Sequence, residues 1–584
     1  MKPSLLNKTT SILTALWGGL AFVWYFVLNN HLVLYYQEQT QMFQFTAAYW
    51  QQCLGQPGGI SVYIATFFVQ FFYYPWVGAL IYTLFLSGLF ASYVFVWKRF
   101  GMKPNLFALI PVLLILLFST DIHFHLMFVS VLIFAFGGFS VLSVLTKTSY
   151  SYLTIPFSMG LLYLFSGGGI LMTVCLFVLY SFTWKNKNRA KYVIIVILSG
   201  AVLPLLFWYF IYFVTLKEAY FSFTPFSYPG TGYRIYYWVS WALFLIFPLF
   251  RNLRMKEPFK QISAIVFLIS ASAFIMTKYN RSGENLTRMM QDADTNHWQD
   301  IIDNESSVRL SPNKCFYLNL ALHKSRQLPS KMFHYDQVGT EGLFISSEDN
   351  FSSYLRSDYF LQLGLINEAK RHAYESLVGY SYYGRLNILT IKRLLLCAKK
   401  EGNEQLIAKY ANILSHTLFY RDLDTIFDPG YNDIHLLDPS NFFVKSLEQV
   451  LNAALEKDPY HQMAFEYLMA YYMLEKKYEQ AKQVFDDYYS NFNYSSIPEH
   501  YAELLVLYKR LNNIGDEFYQ TYPISRDIRE DFEVMEMLIL SMTGNDKKVI
   551  KVLEDQFRHT YWFYVKFPLV NISTQQSHET KTIY

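Results

Sequence analysis

A chain of 584 residues that is 53% hydrophobic, 19% aromatic and only 16% charged is long enough for more than one domain and too apolar for a wholly water-soluble one. Its net charge of +4 is too mild for a nucleic-acid binder, and that partner class is set aside. The four cysteines, Cys53, Cys175, Cys315 and Cys397, show no close pair and no metal-ligand spacing. A disulfide framework is therefore not expected, and only a Cys315–Cys397 bond outside the cytoplasm stays open.

The charge deficit belongs to the first half. About 20 apolar residues make a membrane span, and such runs begin at Ser11–Leu28. That run is long for a signal-peptide core and lacks a small-x-small cleavage site after it, so it reads as a retained span. Further spans are expected at 76–97, 105–119, 126–146, 149–165, 170–183, 192–214, 235–250 and 261–277, nine in all. Lys2 and Lys8 precede the first; Lys98, Arg99 and Lys103 follow the second; Lys147 follows the fourth. Lys185, Lys187, Arg189 and Lys191 follow the sixth, and Arg251, Arg254, Lys256 and Lys260 the eighth. Every second loop is basic. That places the N-terminus in the cytoplasm, and the second half of the chain on the outer side of a multi-pass membrane protein.

The stretch from Asn29 to Pro75 is the long outward loop of this arrangement. It carries one formal charge, Glu38, among aromatics and amides. Ile60–Tyr74 is apolar, but counting it as a crossing would move Lys98 and Arg99 outside. It is read as an interfacial or re-entrant helix entered through Gly55-Gln56-Pro57-Gly58-Gly59. A helix over roughly 38–53 is expected before it, lying on the membrane surface with Met42, Phe45 and Tyr49 on one stripe. Shorter outward loops hold Asp121-Ile122-His123-Phe124-His125, Gly167-Gly168-Gly169, and Leu216 to Arg234 with Lys217.

From about Lys278 the chain becomes polar and helical. Gln462 to Tyr489 is the clearest helix pair, with Phe465, Leu468 and Tyr472 facing Tyr478, Ala481 and Phe485. That spacing matches the tetratricopeptide (TPR) pattern. Weaker copies lie around Leu363-Gly364 with Ala369 and around Gly402 with Ala408, and 318–327 and 500–510 read as further repeat helices. Asp428 to Phe443 reads as a long loop between repeats. The expected fold is all-α: a polytopic transmembrane bundle over 1–280, then a TPR-like α-solenoid over 281–584, the other possibility for that half being an irregular helical bundle.

Several stretches carry a resemblance: Glu38-Gln39 with the aromatics after it, Gln56-Pro57-Gly58-Gly59, Asn319-Leu320-Ala321-Leu322, Lys331-Met332-Phe333-His334-Tyr335 and Thr417-Leu418-Phe419-Tyr420-Arg421. Through them the whole chain resembles a family of uncharacterised bacterial polytopic membrane proteins with C-terminal helical repeats. More distantly, the layout looks like that of the GT-C glycosyltransferases, with many spans and a long first outer loop bearing a catalytic acid. Glu38 stands alone in its loop, without the paired acidic motif common in that superfamily.

A glycosyltransferase with a lipid-phosphate sugar donor needs a base for the acceptor hydroxyl, charges for the leaving phosphate and surfaces for sugar. Glu38 and Asp121 are the catalytic candidates. Lys217 and Arg234 would meet the phosphate, and Tyr49 and Trp50 the sugar. The implied partners are membrane lipid, a polyprenyl-phosphate sugar donor, and a protein or glycan acceptor on the repeats; no cofactor is legible. His123 and His125 lack a fourth ligand, so no metal is assigned. Plainer roles stand beside these: a solvated or capping Glu38, an Asp121 that caps the fourth span, head-group anchors at Lys217 and Arg234, and an aromatic belt in the loop. The competing function is a membrane-anchored scaffold whose repeats recruit envelope proteins.

Overall fold

A computed structural model describes residues 32–102, 106–119, 121, 124–146, 150–183, 189–228, 234–252, 266, 269–270, 281–305, 310–347, 349–380, 386–422, 436–437, 446–541 and 547–567. The first expected span, nearly all of the last, His123 and most of the Asp428–Phe443 loop lie outside these residues. The described residues are helical, with turns and loops and no strand. They form two compact units. Of the described residues, one holds those up to Asn285 together with Asn412–Asp422; the other holds those of Leu286–Ala411 and those from Leu436 to Phe567.

The first unit contains α1 (Leu32–Thr40), α2 (Ala47–Leu54), α3 (Gly59–Val69), α4 (Pro75–Arg99), α5 (Ile110–Phe118) and α6 (Met127–Leu145). It continues with α7 (Ser151–Ser166), α8 (Ile170–Ser181), α9 (Arg189–Phe210), α10 (Leu216–Phe221) and α11 (Arg234–Ile246). Side-chain pairings give the direction of each helix. Tyr93 of α4 meets Phe136 of α6 at 5.4 Å, and the Gly88 Cα direction faces Ile133, so these two run parallel. Along α6, Phe134 and Gly138 meet Phe165 and Leu162 of α7, which therefore runs back. Val131 meets Gly169, and Thr173 of α8 donates to the Ala135 carbonyl at 2.8 Å, so α8 runs forward again. Ser151 and Tyr192 pair the starts of α7 and α9 at 3.4 Å. Ser240 of α11 reaches the Pro111 carbonyl of α5 at 3.2 Å while Tyr237 stacks on Phe118, which makes those two antiparallel.

The helices thus alternate, and the apolar stretch from Ser151 to Ser181 turns back on itself at Gly167. Lys98, Arg99, Arg189 and Lys191 come to one end of the bundle; Asp121, the Gly167 corner and α10 come to the other. Among the described residues, and by length and composition alone, four stretches are apolar and long enough to cross a membrane: Pro75–Arg99, Met127–Leu145, Ser151–Ser181, which is divided at Gly167 into α7 and α8, and Arg189–Phe210. α5, with nine residues, and α11, with thirteen, are apolar but shorter than a crossing needs. In α9 only 17% of the most apolar stretch is buried, so Leu198, Tyr209 and Phe210 face outward.

α3 stays at the corner end. Ser61 near its start donates to the Phe165 carbonyl, and Ser130 of α6 reaches the Ser61 carbonyl at 3.5 Å. Phe68 near its other end meets Phe85 of α4 at 5.4 Å. Glycines let the backbones close here. Gly58 has φ +66°, a region glycine enters without a Cβ penalty, and its N–H donates to the Tyr163 carbonyl at 3.3 Å. A Cβ on Gly168 would stand 2.4 Å from the Ser222 carbonyl oxygen.

The second unit is built from helices that pack on their neighbours in sequence. Gln462–Leu474 packs against Tyr478–Tyr488, with Ala481, Val484 and Phe485 buried between them and their surroundings. Pro312–Lys324, Asn350–Gln362, Ile366–Tyr380, Ile388–Glu401 and Glu499–Leu511 are the other long helices whose buried sides build this core. A buried ion pair, Arg393 to Asp358 at 2.9 Å, is completed by Arg393 donating to the Tyr354 hydroxyl at 3.1 Å. Cys315 and Cys397 are separate buried thiols. Both are free, so the bond left open by the sequence is not made, and burial pushes each thiol up to about 12.

The glycine corner generates a test. Gly168→Ala has to push backbone apart and should cost about 1–3 kcal/mol, as overpacking does. Thermal unfolding in detergent should show a lowered Tm. An unchanged Tm would mean that the corner is looser than described.

Candidate functional site

The loop between Leu32 and Tyr74 folds because its aromatics, not its amides, choose the turns. α1 buries Leu32, Val33, Leu34 and Tyr36, and ends where the Thr40 hydroxyl turns back to the Tyr36 carbonyl at 2.8 Å. Phe43 then plunges into a ring cluster with Tyr49, Tyr63 and Phe67. Thr46 restarts the helix as an N-cap, its side chain accepting from the Tyr49 N–H at 3.1 Å. The single surface helix expected over 38–53 is therefore two helices with a break at 41–46. The expected stripe is split: Met42 and Tyr49 are buried within the protein while Phe45 is exposed, and Gln37, Gln39 and Gln41 are buried as well.

Glu38 lies in the last turn of α1 and is 1% exposed. Its Oε2 accepts from Gln39 Nε2 at 2.7 Å and from the Tyr420 hydroxyl at 2.9 Å. Gln39 Nε2 also reaches the Tyr420 oxygen at 2.8 Å. A buried carboxylate is costly unless donors surround it, and hydrogen bonds to an ionised acceptor are the strong ones. Burial, and next the negative charge of Glu38, hold the Tyr420 phenol well above its ordinary range. It stays protonated at neutral pH and acts as donor.

Tyr420 arrives on the segment Asn412–Asp422. The Phe45 N–H donates to the His416 carbonyl at 2.9 Å, and Gln44 Nε2 to the Ile413 carbonyl at 3.3 Å. Phe419 stacks on Tyr73 at 4.9 Å and meets Tyr74 and Phe71 edge-on. Arg421 follows on the exposed side, its Nε donating to the Thr417 carbonyl at 2.7 Å.

The other expected residues share this end of the bundle in differing states. Asp121 is 7% exposed, in the turn after α5. It does not cap the next helix, whose N-cap is Leu126 without a side-chain bond. Between it and Glu38 runs a chain of contacts: the Gln37 amide to the Tyr82 hydroxyl at 3.1 Å, Tyr82 to Phe124 at 6.2 Å, and the Phe124 N–H to the Asp121 carbonyl at 3.0 Å. Tyr49 is buried with its hydroxyl 2.8 Å from Thr66 Oγ1, and Trp50 lies edge-on to Tyr63 at 4.7 Å. Both pack α2 on α3. Lys217 is exposed on α10, a helix started by the capping box of Thr215 and Glu218. Arg234 donates from Nε to the Pro225 carbonyl at 2.9 Å and from Nη2 to that of Phe226 at 3.4 Å, so it braces the preceding loop.

Sequence reasoning missed Gln39, Tyr420 and Arg421 as site residues. The signal was present, because Glu38-Gln39 and Thr417–Arg421 both carried the family resemblance. The separation of 382 positions between Glu38 and Tyr420 hid their meeting. Among the described residues no group of three or more His, Cys, Asp or Glu side chains is placed to hold a metal ion.

A family model described as "Family of unknown function (DUF6057)" matches residues 6–568. No curated protein matches the chain, and no solved structure does.

Removing the phenol hydroxyl isolates its bond to Glu38. Tyr420→Phe keeps the ring packing and should destabilise the folded protein by about 1.5–3 kcal/mol, the range for a hydrogen bond to a charged group. It should also speed protease cutting within 412–422. Wild-type melting and cutting in this variant would show that the bond adds nothing to the fold.

Proposed function

Because the chain belongs to the family of unknown function DUF6057, its activity has to be argued from its own residues, and we propose a membrane glycosyltransferase resembling the GT-C type. The observation that carries this reading is a buried carboxylate, Glu38, held by a hydroxyl donor at the end of an apolar helical bundle. A hydroxyl is the group a base of this kind must receive. In the proposed reaction an acceptor hydroxyl takes the place now filled by Tyr420. Glu38 accepts its proton as the oxygen bonds to the sugar C1, and the C1–O bond to the lipid phosphate breaks with its electron pair leaving on the phosphate. Arg421, exposed beside Tyr420, suits the departing phosphate better than Arg234, whose guanidinium is engaged with carbonyls. Asp121 is a second acid at the same end.

In this reading the bundle crosses the bacterial inner membrane nine times with its basic end in the cytoplasm. The helical second half forms a TPR-like solenoid in the periplasm that binds a protein or glycan acceptor. Reporter fusions after Lys98 and Lys191 should then read cytoplasmic, and one after Arg281 periplasmic. A cytoplasmic signal after Arg281 would end the orientation and the enzyme reading with it.

A second reading, the non-enzymatic scaffold, draws on the same burial: Glu38 with Tyr420 is then a structural tie. Glu38→Gln separates the two. It keeps shape and hydrogen bonding and removes the base, so an enzyme should lose about 10²–10⁴ in rate. The variant should reach normal abundance yet fail to restore the surface-glycan profile of a strain lacking the protein. Full restoration would remove Glu38 as the base, and a deletion strain with unaltered glycans would favour the scaffold.

A further inference from the structure

The corner end of the first unit carries aromatics on its outside. Tyr73, Tyr74 and Trp76 are exposed where α4 begins, a helix long and apolar enough to cross a membrane. Half-buried Phe419 joins them from far along the chain, stacked on Tyr73 at 4.9 Å and edge-on to Tyr74 at 5.5 Å. At the same end of the bundle, Tyr209 and Phe210 stand exposed where α9 closes. The basic end has aromatics of its own, each under a cation. Lys98 lies over Phe95 at 5.3 Å, Arg189 over Phe182 at 4.6 Å and Lys191 over Tyr152 at 3.9 Å.

These two sets of rings stand a membrane's thickness apart. At a helical rise of about 1.5 Å per residue, Trp76 to Phe95 is about 28 Å along α4, and Lys191 to Tyr209 is about 27 Å along α9. A hydrocarbon core is about 30 Å thick. Between those limits every exposed side chain of the two helices is aliphatic, as Leu80 and Leu84 are on α4 and Leu198 and Val202 on α9. Tyr and Trp collect at the headgroup level, where the ring meets acyl chain and the polar tip meets water. We propose that Asn412–Asp422 is a membrane-interface segment, seated in the headgroup layer, where Phe419 with Tyr73, Tyr74 and Trp76 forms one lipid-facing surface. A stretch from the polar half of the chain thereby becomes a membrane contact. The bond from Tyr420 to Glu38, one residue along, then stands at the depth of the lipid phosphates, in an enzyme or a scaffold alike.

The test uses the full-length protein in vesicles of phosphatidylethanolamine and phosphatidylglycerol. The exposed Cys175 is replaced by Ser; the other three cysteines are buried. Single nitroxide labels are placed at Ser415→Cys and Arg421→Cys, both exposed positions of the segment. Leu198→Cys, outward on α9, gives the hydrocarbon reference, and Asp516→Cys, exposed in the second unit, gives the water reference. Collisions with oxygen, which concentrates in hydrocarbon, are compared with collisions with a water-soluble nickel chelate. Both segment labels should give an oxygen-to-nickel ratio between the two references. A ratio equal to that at Asp516 for either label would put the segment in water and overturn the proposal. A ratio equal to that at Leu198 would overturn it too, and so would weak collision with both reagents, which marks a surface covered by protein.

Discussion

A carboxylate taken out of water sets the terms for this end of the molecule. Left without donors, Glu38 would cost several kcal/mol or would take up a proton. The fold supplies Gln39 from the same helix and Tyr420 from far along the chain. Only the second requires the chain to return. The ring stack of Phe419 on Tyr73 and the two backbone carbonyls that receive Phe45 and Gln44 hold that returning segment in place. Dispersion and hydrogen bonding thus position a group whose own contribution is electrostatic.

Close backbone approach is the complementary constraint. α3 lies at the corner end because Gly58 and Gly168 admit neighbouring peptides where any side chain would intrude. The helices that run the length of the bundle meet through rings, small hydroxyl residues and glycines such as Gly138. Ser240, Thr173 and Ser151 bond across helices, where lipid would offer them nothing.

Much of this was legible in the sequence. Apolar runs and Gly167-Gly168-Gly169 predicted α7 and α8 as separate helices, since a run of glycines ends a helix wherever it falls. The helix pair at Gln462–Tyr488 followed from its periodicity. Less legible was the loop around Glu38. Gln37 and Gln39 are buried because each has a hydroxyl partner, and periodicity carries no record of partners. The break at 41–46 was missed because the pull of Phe43 into a ring cluster is tertiary. Nor did the sequence show that Arg234 donates to the Pro225 and Phe226 carbonyls.

The return of Asn412–Asp422 to the first unit carries a consequence for synthesis. A chain emerging in order makes Glu38 almost four hundred residues before Tyr420. Through that interval the helices of the first unit can assemble, but the carboxylate must keep water or a proton in place of its partner. Closing so long a loop is slow and entropically costly. The last step in completing the first unit therefore waits on translation of much of the second, and nascent chains that stop short of 412 would hold an open, hydrated Glu38.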